Sequence, residues 1–96
     1  MKIEDWRSEI DSIDKEILKL VNKRARMAME IGALKMQSGL PVFDREREQN
    51  IIESLCSENA GPIPCDAVIR IFRQIIHETR TIESNVHLQT SSREIA

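Results

Sequence analysis

Aromatic side chains are almost missing from this sequence, which has one tryptophan, two phenylalanines and no tyrosine in 96 residues. Its core must therefore be aliphatic, and it lacks the stacking platforms that single-stranded nucleic acids use. No apolar run approaches the roughly 20 residues needed to span a bilayer. The start, Met1-Lys2-Ile3-Glu4-Asp5, has no apolar centre of the kind a secretory signal carries. No basic run resembles a phosphate-tracking stripe, and the net charge is −2. Neither nucleic acid nor a membrane is an expected partner, and the expected location is cytoplasmic. The two cysteines, Cys56 and Cys65, form no zinc spacing with His77 and His87. No metal is expected, and in that compartment the pair reads as reduced thiols.

What the chain does have is helical periodicity. Apolar residues recur at three- and four-residue steps through Ile3, Trp6, Ile10, Ile13, Ile17, Leu20, Met27, Ile31 and Leu34. The pattern predicts one helix over 4–37, roughly 50 Å long at ~1.5 Å per residue, stopped by Ser38-Gly39 and Pro41. A second helix starts after Asp44, a good N-cap, carries Ile51, Ile52 and Leu55, and ends before Gly61-Pro62. A third begins near Pro64 to Asp66 and repeats apolar residues at Val68, Ile69, Phe72, Ile75, Ile76, Ile82 and Val86. There is no strand signal, so the fold class is all-α: a three-helix chain with a long first helix. That rod is too long for two shorter helices to cover. Its continuous seam predicts a two-fold dimer in which the long helices run past each other.

Within the first stripe a single position is charged, Arg24. A guanidinium there stays ionised and needs an anion opposite it, either a structural carboxylate or a ligand. Lys35, eleven residues on, returns to within about 20° of the same face, about 16 Å along the axis. Two long arms so placed can bracket a small ligand or simply reach solvent. On the third helix Thr79 lies on the apolar stripe and Glu83 borders it, so both need partners inside the bundle. At the start of the second helix Asp44, Arg47 and Glu48 share one side, as a capping cluster or as part of a site.

In this order the residues resemble the all-helical chorismate mutase family. The likeness rests on Arg7 near the start of the long helix, Arg24 in its middle and Lys35 near its end. It continues through the Pro41-Val42 turn, the Asp-x-x-Arg-Glu set of Asp44, Arg47 and Glu48, and Thr79 followed one turn later by Glu83. It covers residues 4–84. The resemblance implies an intertwined homodimer with residues 1–90 as the catalytic unit; the polar composition of 91–96 predicts a frayed tail. The implied reaction is the intramolecular rearrangement of chorismate to prephenate, in phenylalanine and tyrosine biosynthesis, without a cofactor.

The resemblance also assigns roles. Arg24 and the partner subunit's Arg7 would clamp the carboxylates, with Thr79 adding a hydroxyl. Arg7 must cross over, because about 25 Å of helix separates it from Arg24 in its own chain. Arg47, oriented by Asp44, would add positive potential, and Glu48 would accept from the ring hydroxyl. Lys35 and Glu83 would meet the ether oxygen, and Ile31, Ile51 and Ile76 would be apolar walls. Some family members have glutamine where this chain has Glu83. A carboxyl donates a hydrogen bond only when protonated, so activity is expected to favour mildly acidic pH. Two alternatives stand beside this one: an isochorismate pyruvate-lyase on the same scaffold, in whose group the Asp-x-x-Arg-Glu set is not kept, and a non-catalytic dimerisation or regulatory module.

Overall fold

A computed structural model describes residues 1–95, with side chains described as far as Gln89. Three helices account for most of it: α1 (Ile3–Gln37), α2 (Arg45–Glu58) and α3 (Cys65–Ile95). The ends follow local chemistry. Asp5 accepts a hydrogen bond from the backbone N–H of Lys2 at 2.8 Å and so closes the first turn of α1. After α1 the chain reverses through Gly39, whose φ of 69° is one that a side chain resists. Asp44 caps α2, its carboxylate accepting from the backbone N–H of Arg47 at 2.9 Å. Asn59 organises the next turn, donating to the Ile63 carbonyl and accepting from the Gly61 N–H. The third helix continues past Ser84, where the periodicity fades, because nothing in that segment breaks a helix. The expected frayed tail, 91–96, lies outside the residues whose side chains are described.

Both other helices pack on α3. Contacts between α1 and α3 advance in the same direction along both, from Arg24 with Thr79 to Gly32 with Glu83, so the two run parallel. Glu48 meets Arg80 and Cys56 meets Cys65, so α2 runs antiparallel to α3. No backbone approach joins α1 directly to α2 among the described residues. The face of α1 turned to α3 is Ala25, Ala28 and Gly32, all buried. Small residues there let the backbones come close. A Cβ on Gly32 would lie 2.5 Å from the Glu83 carbonyl oxygen.

The apolar stripe read from the sequence is thus not the face that α1 buries within its own chain. Trp6, Ile10, Ile13, Ile17 and Leu20 are all 51–61% exposed, and Met27, Ile31 and Leu34 are exposed as well. The stripe of α3 behaves as expected, with Val68 and Ile76 buried and Ile69, Phe72, Ile75, Ile82 and Val86 partly so. No large side chain among the described residues is fully buried. One chain therefore builds only a thin core, in a body whose α-carbons extend 60 × 26 × 14 Å.

The cysteines correct the expectation of reduced thiols. Cys56 and Cys65 are joined in a disulfide, their α-carbons 5.4 Å apart. Compartment alone does not decide the pairing. The nine-residue separation, folded back through the turn after Glu58, brings the last turn of α2 against the first residue of α3. No helix of the described residues is long and apolar enough to cross a membrane.

Candidate active site

Where α1, α2 and α3 come together they enclose a cavity of about 410 Å3, a size suited to a small metabolite. It gathers seven of the eight residues singled out in the sequence: Arg24, Lys35, Asp44, Arg47, Glu48, Thr79 and Glu83. The three expected apolar walls, Ile31, Ile51 and Ile76, line it as well. Arg7 does not. It lies on the exposed N-terminal stretch of α1, away from the cavity of its own chain.

Helix periodicity explains how one face supplies each group. Arg24 and Lys35 descend from α1, and Arg47 and Glu48 come from the first turn of α2, which Asp44 caps. Thr79, Arg80 and Glu83 all reach the cavity from α3, Glu83 lying four residues after Thr79 and three after Arg80. Thr79 is 3% exposed and fully engaged. Its hydroxyl accepts from Arg24 and donates to the Ile75 carbonyl at 2.9 Å. Lys35 Nζ donates to the Val42 carbonyl at 2.8 Å and lies 2.8 Å from Glu83 Oε1. That second contact is one of charge, off the line of a hydrogen bond, so the buried Glu83 oxygen keeps its acceptor capacity.

Asp44 does not hold the guanidinium of Arg47. Its contact with that residue is through the backbone N–H.

Three further residues belong to the site and were missed in the sequence. Arg80 pairs with Glu48, Nη1 to Oε1 at 2.5 Å, and its guanidinium carbon lies 4.7 Å from the centre of the Phe43 ring. The signal was available: Glu48 on a half-buried face requires a cation, and α3 offers one beside Thr79. Gly32 sets the approach of α1 to Glu83. A glycine inside a helix costs about 1 kcal/mol against alanine and usually has a packing reason. Val42 was read only as part of a turn, and its carbonyl anchors Lys35.

The charge balance of the cavity is unequal. Arg24, Lys35, Arg47 and Arg80 face Asp44, Glu48 and Glu83. Glu48 pairs with Arg80 and Glu83 with Lys35, while Asp44 accepts from the backbone at the start of α2. Among the described residues, Arg24 and Arg47 have no carboxylate at ion-pair distance. Burial, and then the neighbouring Arg47, hold Arg24 below its ordinary arginine value, while Glu48 and Glu83 pull the other way. Two guanidiniums that repel each other at the wall of a half-closed cavity favour an anion with two negative groups.

Comparison with known proteins agrees with this reading. The family model for chorismate mutase type II matches residues 6–84. The chain belongs to the type II chorismate mutase family. It is 32% identical over 95 residues to the chorismate mutase of Methanocaldococcus jannaschii, covering 96% of this chain and 94% of that one. It is 37% identical over 89 residues to the bifunctional chorismate mutase/prephenate dehydratase of Aquifex aeolicus, covering 88% of this chain. The match spans about a quarter of that longer relative, 25% of its length. The fold is shared with the chorismate mutase of Helicobacter pylori solved in complex with prephenate. That match has a TM-score of 0.80 and 25% identity, over 88% of this chain and 91% of that one.

Proposed function

We propose that this type II chorismate mutase family member converts chorismate to prephenate, serving phenylalanine and tyrosine biosynthesis in the cytoplasm. The observation that carries the reading is the pair of guanidiniums, Arg24 and Arg47, left without carboxylate partners in a cavity where Glu48 and Glu83 pair with Arg80 and Lys35. Chorismate is a dianion, and its two carboxylates complement that pair. The reaction is an intramolecular rearrangement, so it needs neither a nucleophile nor a cofactor. The site's task is to hold the flexible dianion compact and to stabilise charge developing on the breaking ether bond.

Arg24 binds one carboxylate, steered by Thr79, and Arg47 lends positive potential. Glu48 accepts from the ring hydroxyl. Lys35 donates to the ether oxygen, and Glu83 donates there once it is protonated. Ile31, Ile51 and Ile76 exclude water and so strengthen the fixed charges. Residues 1–90 form the catalytic unit.

The exposed seam of Trp6, Ile10, Ile13, Ile17 and Leu20 supports an intertwined homodimer in which two such seams cover each other. Passage of the long helices would carry the partner subunit's Arg7 to the cavity, adding a cation where the substrate's negative groups lie. Its position in its own chain, remote from the cavity, fits that role.

The test is product identification with purified protein. Prephenate from chorismate, lost in Arg24→Ala while the helical dimer persists, is the expected result. Pyruvate released from isochorismate, with little prephenate, would replace the reading with a lyase. Neither product from a folded dimer would reduce it to a binding or dimerisation module.

A further inference from the structure

Arg80 lies in no role assigned above, yet it ties several parts of the site's framework together. Its guanidinium pairs with Glu48 on α2 and stacks on Phe43, the residue immediately before the Asp44 cap. It lines this cavity and two adjoining clefts, one beside Thr81 and Ser84, the other beside Arg73 and His77. With no backbone approach between α1 and α2, the placement of Arg47 and Glu48 relative to Arg24 and Lys35 depends on α3 and on the short segment before Asp44, where Lys35 holds the Val42 carbonyl. Arg80 is the α3 side chain that makes this link at the first turn of α2.

We propose that Arg80 is a positioning residue that holds the Glu48 carboxylate away from Arg24, keeping Arg24 free for the substrate's carboxylate. The inference rests on the mutase reading of the site. Its physical basis is competition. Glu48 and Arg24 line the same cavity, and the Glu48 charge already acts on Arg24. An ionised carboxylate released from Arg80 would find Arg24, whose other protein contact is the neutral hydroxyl of Thr79. A charged acceptor outcompetes a neutral one. The substrate would then have to displace Glu48 before binding. The planar fork of arginine suits this post, pairing with a carboxylate while its face rests on an aromatic ring.

The capture model makes a prediction that a simple field effect does not. If Arg80 contributed only positive potential, its removal would weaken dianion binding by the same factor whatever residue 48 is. If it restrains Glu48, removal matters only while residue 48 carries a charge. The experiment is a double-mutant cycle on the full chain with Arg80→Ala, Glu48→Gln and the two combined. It reads prephenate Kd by calorimetry and, where turnover persists, KM and kcat for chorismate.

The expected outcome is a weakening of about tenfold for Arg80→Ala while Glu48 is present, and under about twofold once Glu48→Gln has removed its charge. Equal factors in both backgrounds would overturn the proposal. Arg80→Gln, which keeps part of the stem, runs the same cycle should Arg80→Ala fail to fold. A wild-type protein that neither binds prephenate nor consumes chorismate would instead defeat the mutase reading. That result is visible before any variant is made.

Discussion

Gly32 offers the sharpest test of how packing and catalysis are tied together in this chain. In Gly32→Ala the new Cβ would sit 2.5 Å from the Glu83 carbonyl oxygen, 3.2 Å from its Cγ and 3.3 Å from its carbonyl carbon. Two of those atoms are backbone and cannot rotate aside. A comfortable carbon-to-oxygen contact is about 3.3 Å or more, so α1 and α3 must part by about 0.8 Å at this level. Overpacking of this kind costs about 1–3 kcal/mol. Replacing a mid-helix glycine by alanine returns about 1 kcal/mol. The net loss of stability should be small, about 1 kcal/mol.

Activity should fall much further. Glu83 supplies the backbone that the new methyl would press against. Lys35 lies one turn from Gly32 on α1, 2.8 Å from the Glu83 carboxylate. A displacement near 1 Å in a site that works by positioning costs roughly a hundredfold. Urea denaturation and kcat/KM on the same preparations measure both quantities. A variant with a raised urea midpoint and unaltered turnover would refute the claim that Gly32 sets the spacing of the site.

Three other outcomes follow from the same structure. Glu83→Gln keeps a donor at every pH, whereas a carboxyl donates only when protonated, so the variant's turnover should depend less on pH than the wild type's. The variant's profile should be flatter toward neutral pH, and identical profiles would remove Glu83 from the ether oxygen. Arg7→Ala and Arg24→Ala homodimers should each be nearly inactive. Mixing them after unfolding should restore roughly a quarter of wild-type activity, because half the dimers are mixed and each holds one intact site. No recovery would mean that Arg7 does not cross between subunits. Reducing the Cys56–Cys65 link frees a loop of about nine residues, and the chain-entropy relation gives a loss of about 2.5 kcal/mol. A urea midpoint insensitive to dithiothreitol would show that the link does not restrain the unfolded chain.

Much of the site was legible in one dimension, for reasons particular to helices. Arg24, Lys35, Thr79 and Glu83 stood out because a helix fixes which residues share a face, and charges or hydroxyls on an apolar face demand partners. Asp44 was legible as a cap because capping needs only residues within one turn. Its relation to Arg47 was not, since the contact goes to the backbone rather than to the guanidinium. Arg80 escaped because its partners, Glu48 and Phe43, are 32 and 37 positions away and on other elements. The face that α1 buries within its own chain was not legible for a similar reason. A hydrophobic stripe states that a face is to be covered, without saying by which molecule, and within this chain the covered face is the small-residue one of Ala25, Ala28 and Gly32.

By itself, then, the sequence determined the three helices, the turns between them, and the identity of most groups that would face a ligand, since each of these is set by residues within one or two turns of each other. Only the tertiary structure decided which charges cancel and which stay free. Arg80 takes Glu48, Lys35 takes Glu83, and Arg24 and Arg47 are left to the cavity. Ion pairing depends on distance in space rather than along the chain. Those distances exist only once α1 and α2 have both settled on α3.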